Sequence, residues 1–143
     1  YKAIFTVPYA PGVVEAVAYR DGKEAARTRL ETPDAPAQVI LEPDRPVIHA
    51  DGMDLCYVTV RVADAQGRTV VCDNIRLTAE AEGGALLGFG SGNPCTEENY
   101  TDERNVFGGY ALVCLRADRA PGEIHLTVSG AGLTPGTLTV EMA

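Results

Sequence analysis

The amino-acid sequence predicts an all-β protein built around an immunoglobulin-like β-sandwich. Almost every segment alternates apolar and polar residues with the period of two that is typical of β-strands. Turn-forming residues separate these segments at spacings of about ten, and no window shows helical periodicity over ten or more residues. Seven or so short strands arranged in this way are typical of two antiparallel sheets packed face to face.

The front of the chain, residues 1–34, is predicted to be distinct from the sandwich. It contains three strand-like runs, Ala3–Pro8, Val13–Tyr19 and Glu24–Leu30. Two or three strands cannot bury a core alone, and the sequence has no initiator Met. We therefore interpret the front as the remnant of a preceding β-domain, cut from a longer polypeptide and joined to the sandwich by the proline-containing linker Pro33–Pro36.

The remnant is expected to expose a face that once met a partner sheet. The apolar positions assigned to that face are Ile4, Val13, Val17 and Leu30. Exposed strand edges and apolar surface promote pairing, so a homodimer driven by truncation is expected.

Residues 37–143 supply the predicted sandwich. Strict alternation makes Leu55–Asp64 and Tyr110–Ala117 the clearest strands. The stretch 90–109 is predicted to be a long polar connection. The other predicted strands are Gln38–Glu42, Val47–His49, Thr69–Val71, Ile75–Glu82, Ala85–Phe89, Ile124–Ser129 and Thr137–Met142. The residues predicted to be buried are Val58, Val60, Val62, Ala111, Val113, Leu115, Leu126 and Val128.

Composition excludes several classes of partner. The chain has 12 Lys and Arg against 20 Asp and Glu, a net charge of −8 with no basic cluster. This balance argues against nucleic acid and anionic membrane surfaces. The longest apolar runs are far too short to span a bilayer.

The four cysteines are predicted to be free thiols. No two of them have the C-x-x-C spacing, which argues against a zinc site; they are Cys56, Cys72, Cys95 and Cys114. Alternation places Cys56 on the apolar, inward face of its strand. It places Cys114 on the face that points away from the core, opposite to that of Val113. A disulfide between Cys56 and Cys114 is therefore disfavoured. Free thiols favour a reducing compartment, and hence the cytoplasm.

A cluster of carboxylates lies in the long connection, at Glu97, Glu98, Asp102 and Glu103. Paired carboxylates hydrolyse glycosides only when they are held on opposite sides of a sugar, and neighbouring residues of a loop do not ensure that geometry. We interpret the cluster as a solvated acidic loop. It also lacks the spaced pattern of a calcium loop, so we assign no metal, no cofactor and no catalytic residue.

Two further motifs have structural interpretations. Gly88–Asn93 is similar to a phosphate-binding loop, but the third glycine is replaced by Asn93 and no helix follows. We interpret its glycines as a sharp bend that needs positive φ. His49 and His125 have no Ser or Cys partner at the spacing of a catalytic triad and are expected at a surface or edge.

The aromatic residues leave two interpretations open. They are Tyr9, Tyr19, Tyr57, Tyr100, Phe107 and Tyr110. They form either a platform for a sugar ring or part of the core and interface packing, and packing is favoured.

Several sequence strings resemble bacterial β-galactosidases of glycoside hydrolase family 2. Val7–Gly12, followed by Glu15–Glu24, is similar to the end of an accessory β-domain in that family. Ala50–Leu55, Leu87–Pro94 and Phe107–Val113 are similar to parts of its invasin-like C-terminal domain. The cysteines and the acidity of the loop after Asn93 depart from the family pattern.

The resemblance implies a role without catalysis for this region. The catalytic glutamates of the family lie in its barrel, and no position here corresponds to them. The chain is expected to support the catalytic barrel, other domains of the parent protein or its oligomer. The alternative is a carbohydrate-binding or adhesive module that uses loop 90–109. The residues expected to contact a ligand or partner are Asn93, Glu97, Glu98, Tyr100, Asp102 and Phe107.

Overall fold

A computed structural model describes residues 2–143. This part of the chain contains eleven strands and no helix, which confirms the all-β prediction, and within it no helix is long and apolar enough to cross a membrane. The chain divides into two compact units, the first ending at Pro33 and the second covering Asp34–Ala143.

The first unit is a β-hairpin. Strands β1 (Val13–Arg20) and β2 (Lys23–Glu31) pair antiparallel. Asp21 and Gly22 join them with φ of 52° and 75°, the left-handed conformations that a tight two-residue turn requires. Both strands were predicted. The third prediction, Ala3–Pro8, is wrong: no strand forms there, because alternation makes a strand only where a neighbour completes the hydrogen-bond ladder.

The two faces of the hairpin differ in chemistry. One face is apolar, and its opposed pairs are Val14 with Leu30, Ala16 with Thr28, and Ala18 with Ala26. The other face is charged: Arg27 donates to Glu15 at 2.5 Å and to Glu24 at 2.9 Å. Val13 and Val17 lie opposite Glu31 and Arg27 on the charged face. The expectation that Val13, Val17 and Leu30 share one face is therefore wrong, because direct cross-strand partners point to the same side.

The second unit is a sandwich of two sheets. Among the strands of this unit, only β4 and β11 pair parallel, and the other strand pairs are antiparallel. The five-stranded sheet has the order β4 (Val47–Ile48), β11 (Gly136–Met142), β10 (Gly122–Gly130), β6 (Arg76–Glu82) and β8 (Glu103–Asn105). The four-stranded sheet has the order β3 (Gln38–Pro43), β5 (Leu55–Ala63), β9 (Tyr110–Arg116) and β7 (Ala85–Gly90).

The core lies between these sheets. All eight residues predicted to be buried are buried, and Val58, Val60, Val62 and Val113 are fully inaccessible to solvent. Phe89 from β7 and Ile124 from β10 add the larger side chains. The alternation in β5 and β9 therefore identified the inward face correctly.

Two loop predictions need correction. Thr69–Val71 is not a strand, and only Thr69 forms a single bridge, to Ala63. Gly109 packs so tightly here that a Cβ on it would lie 2.1 Å from the Val70 carbonyl oxygen. The stretch 90–109 is not wholly a connection, because β8 forms within it and pairs with β6.

Candidate functional site

A cleft of about 320 Å³ opens at the edge of the four-stranded sheet. The pairing of β7 with β9 explains the position of the cleft. Gly88 pairs with Cys114 and Gly90 with Leu112. Because glycine has no side chain, the edge strand β7 forms an open floor beside β9. We call this feature the Tyr100 cleft. Its lining consists of Gly88, Gly90, Ser91, Gly92, Tyr100, Leu112 and Cys114.

Gly88 and Gly90 leave space for Tyr100 to pack against β7. A Cβ on Gly90 would lie 2.9 Å from two ring carbons of Tyr100, and one on Gly88 would lie 3.3 Å from the Tyr100 carbonyl oxygen. Gly88, Gly90 and Gly92 are not among the glycines with positive φ. The chain does bend at Gly92, but the predicted positive φ is wrong, and the close approach of Tyr100 is the reason for the glycines at 88 and 90.

Arg104 anchors the loop that carries Tyr100. Its side chain is completely buried. Nη1 donates to the carbonyl oxygen of Glu98 at 3.0 Å, and Nε donates to Ser91 Oγ at 3.3 Å. Nε also lies 3.7 Å from the Glu98 carboxylate. Arg104 thus ties the loop to β8 at two points, Ser91 and Glu98.

Glu98 is part of the same network. Its Oε1 accepts hydrogen bonds from the side chain of Asn105 at 2.7 Å and from the backbone N–H of Asn105 at 3.3 Å. Glu103 pairs with Arg76 on β6. Two of the four carboxylates are therefore neutralised by arginines, which corrects the interpretation of a wholly solvated acidic loop.

The other predicted contact residues are dispersed. Asn93 accepts a hydrogen bond from the backbone N–H of Cys95 at 2.9 Å, while Glu97 and Asp102 are exposed. Phe107 forms a bridge with Tyr110 across the Gly108-Gly109 turn. Only Tyr100 of the predicted set lines the cleft. Ser91, Leu112, Cys114 and Arg104 were missed because their proximity depends on strand pairing between distant parts of the chain.

The six aromatic residues singled out in the sequence are not core residues. Tyr9, Tyr19 and Tyr100 are 65% exposed or more, and Tyr57, Phe107 and Tyr110 lie between 43% and 46%. The core part of the packing expectation is therefore wrong for these six residues, while their packing at an interface stays a prediction. Aliphatic residues and Phe89 fill the core, and Tyr57 and Tyr110 lie on the outer face of the four-stranded sheet.

The string Ala50–Leu55 closes a loop by internal hydrogen bonds. Asp51 Oδ1 accepts from the backbone N–H of Met53 and of Asp54, each at 2.7 Å. Asp54 accepts from the backbone N–H of His49 and of Leu55. The bonds from Met53 and Asp54 lower the pKa of Asp51. This string therefore has a structural role, since its carboxylates are engaged by the loop itself.

Asp64 fixes the beginning of the second unit. This buried carboxylate accepts hydrogen bonds from the backbone N–H of Asp34, Gln66 and Arg68 and from the guanidinium of Arg68. Burial opposes ionisation, but these hydrogen bonds outweigh it and lower the pKa of Asp64 to about 2.

The four cysteines are free thiols with different environments. Cys56 is buried, and desolvation followed by the neighbouring Asp44 raises its pKa to about 11. Desolvation also raises the pKa of Cys72 and of Cys114, whereas Cys95 is exposed. Among residues 2–143, no three His, Cys, Asp or Glu residues come together in a metal-binding group.

Comparison with known proteins connects both units to glycoside hydrolases. Residues 39–139 match the family model of glycoside hydrolase family 2 C-terminal domain 5, and residues 1–26 match the domain of unknown function DUF4982. The β-galactosidase BoGH2A of Bacteroides ovatus is 37% identical over 94% of this chain and 16% of its own length. A β-galactosidase of Thermoanaerobacter pseudethanolicus is 37% identical over 79% of this chain and 14% of its own.

A solved structure has the same fold. A glycosyl hydrolase family 2 member from Bacteroides cellulosilyticus superimposes with a TM-score of 0.90 at 29% identity, over 96% of this chain and 18% of that protein. The chain thus spans less than a fifth of the length of each of these three relatives.

Proposed function

The chain belongs to the C-terminal region of glycoside hydrolase family 2, and from this premise we propose that it is a non-catalytic accessory region of a β-galactosidase-like enzyme. The observation that carries the proposal is the family match over residues 39–139 together with two β-galactosidases that are each 37% identical. The partners proposed for it are the catalytic barrel and other domains of the parent protein, which it supports directly or through the oligomer.

The carboxylates of the long loop support a role without catalysis. A glycosidase needs two carboxyl groups about 5–10 Å apart on opposite sides of the scissile bond, one of them free to ionise and one to donate a proton. Glu98 is held by Arg104 and Asn105, and Glu103 by Arg76. Glu97 and Asp102 remain, and both are exposed side chains on one loop.

Hydrolysis assays test this proposal. The purified chain should release no nitrophenol from nitrophenyl β-galactoside, whereas the longer parent protein should hydrolyse it. Turnover by the purified chain that disappears in a Glu97→Gln, Glu98→Gln double variant would contradict the non-catalytic role. An inactive but folded parent protein would contradict the glycosidase assignment.

A second candidate is carbohydrate binding through loop 90–109. The observation in its favour is Tyr100, which is 65% exposed beside the cleft and offers an aromatic ring to a sugar. However, Ser91 and Tyr100 contribute the only side-chain hydroxyls of the lining, and sugars require several hydrogen-bonding partners. Titration of the chain with galactose and lactose, with Tyr100→Ala as the control variant, distinguishes this candidate from the first.

A further inference from the structure

The two outer faces of the sandwich differ in chemistry. The outer face of the five-stranded sheet is polar, and its central positions are Thr78, Glu80, His125, Thr127, Thr137 and Thr139. The outer face of the four-stranded sheet, in contrast, carries Tyr57, Tyr110, Leu112 and Cys114, with Thr59 and Arg61 beside them on β5. An exposed sheet face in water is normally polar, so the four-stranded sheet is the exception.

The apolar residues of this sheet form one continuous surface. Tyr110, Leu112 and Cys114 follow one another on the same side of β9, and Tyr57 lies directly opposite Cys114 on β5. Tyr57, Tyr110 and Leu112 are 43–46% exposed. We call these four residues the tyrosine face. Contiguous exposed apolar surface rich in tyrosine is typical of protein interfaces.

The charges near the tyrosine face are arranged at its rim. Arg61 lies opposite Tyr110, but its guanidinium donates to Glu42 at 2.8 Å and to the carbonyl oxygen of Gly67 at 3.0 Å. Arg116 lies at the end of β9, beyond Cys114. An uncharged centre within a charged rim is the usual anatomy of a protein interface.

The Tyr100 cleft is continuous with the tyrosine face. Leu112 and Cys114 belong to both features, and the glycine floor extends the same sheet toward Tyr100. The lining is mostly apolar, which suits a protruding aliphatic or aromatic side chain better than a polar ligand. The surface therefore combines a flat apolar area with one adjacent recess.

We propose that the tyrosine face and the Tyr100 cleft dock against an uncharged, apolar surface of another domain of the same parent polypeptide, with one side chain of that domain seated in the cleft. This inference rests on the proposed function. The length of the relatives indicates which partner covers this surface. The matched region accounts for only 16% of BoGH2A and 18% of the Bacteroides cellulosilyticus protein. Most of such a polypeptide is thus available to cover this face at high effective concentration.

Hydroxyl-radical footprinting tests the docking directly. The purified 143-residue chain and the full parent protein are oxidised under the same conditions, and modification is quantified by mass spectrometry. Tyr57, Tyr110 and Leu112 should be modified several-fold more slowly in the parent. His125 on the opposite sheet and Met53, which is 78% exposed, serve as internal controls and should change less than these three.

A matched pair of variants gives an independent measurement. Leu112→Glu places a charge on the tyrosine face, and Thr137→Glu places the same charge on the exposed outer face of the five-stranded sheet. Both variants should unfold like the wild type in the isolated chain. In the parent, only Leu112→Glu should lower the thermal midpoint of this region and restore rapid labelling of Tyr57 and Tyr110.

Each alternative outcome overturns the inference. Equal labelling in chain and parent would show that the face stays free. Protection that disappears when the parent is diluted to monomer would assign the face to a second copy. Protection of the isolated chain by galactose or lactose would assign it to sugar. The hydrolysis assay on the parent is separate, so an active parent with an unprotected face rejects the docking and retains the proposed function.

Discussion

The guanidinium carbon of Arg104 lies 5.0 Å from the centre of the Tyr100 ring. This cation–π contact joins a fully buried arginine to a tyrosine that is 65% exposed. The same guanidinium holds the carbonyl oxygen of Glu98 and the hydroxyl of Ser91. The position of Tyr100 beside its cleft therefore depends on the buried guanidinium of Arg104 on β8.

Replacement of Arg104 should loosen this loop. Arg104→Met removes the donors to Glu98 and Ser91, and we expect it to lower the free energy of unfolding by about 1–3 kcal/mol. Urea denaturation measures this change, and limited proteolysis should show faster cleavage within residues 91–102. Arg116→Met, at an exposed position, is the matched control. Equal midpoints for the two variants would show that the Arg104 contacts do not stabilise the loop.

Alternation within a single strand can be recognised in the sequence, whereas pairing between distant strands cannot. Val58, Val60 and Val113 were identifiable as core residues because alternation within one strand defines a face wherever one side is buried. The burial of Arg104 was not identifiable, since β8 is only three residues long and arginine rarely occurs in a core. The Tyr100 cleft was not identifiable either, because the pairing of Gly90 with Leu112 joins segments far apart in sequence.

The stability of the second unit should depend on pH through Asp64. Its pKa is about 2 in the folded chain against an ordinary value of 3.8. Between these values the unfolded state binds more protons, so stability rises with pH. The contribution of Asp64 is complete above about pH 4 and is lost as pH falls through about 2.

Denaturant titrations at several pH values measure this dependence. The Asp64→Asn variant should be less stable than the wild type at pH 7, and the difference should shrink as pH falls from 4 to 2. Glu97→Gln, at an exposed loop position, is the control and should follow the wild type. A constant difference across this pH range would show that ionised Asp64 does not contribute.

Alkylation should distinguish the four cysteines. At pH 8 without denaturant, Cys95 should react first because it is exposed. Cys56 should react last because it is buried and its pKa is about 11, so little thiolate is available for attack. Mass spectrometry after timed alkylation gives this order, and unfolding without a reductant should make all four react. A bridge between any two of them would contradict the proposal of a reducing, cytoplasmic compartment.

The apolar face of the hairpin should cause self-association of the isolated chain. Val14 and Leu30 lie directly opposite each other on this face, and they are 54% and 73% exposed. Two copies joined by a two-fold axis would bury this face against itself. Light scattering should therefore show an increase in mass with concentration for the 143-residue chain, and a shorter chain that begins at Pro36 should remain monomeric and folded.

Adjacent valines provide a matched test of which face associates. Val14→Lys places a charge on the apolar face, whereas Val13→Lys places it on the face where Arg27 pairs with Glu15 and Glu24. Burying an unpaired lysine is unfavourable, so Val14→Lys should abolish the association and Val13→Lys should leave it largely intact. If both variants associate like the wild type, the contact does not use the hairpin face. If the wild type stays monomeric at every concentration, this face does not drive self-association.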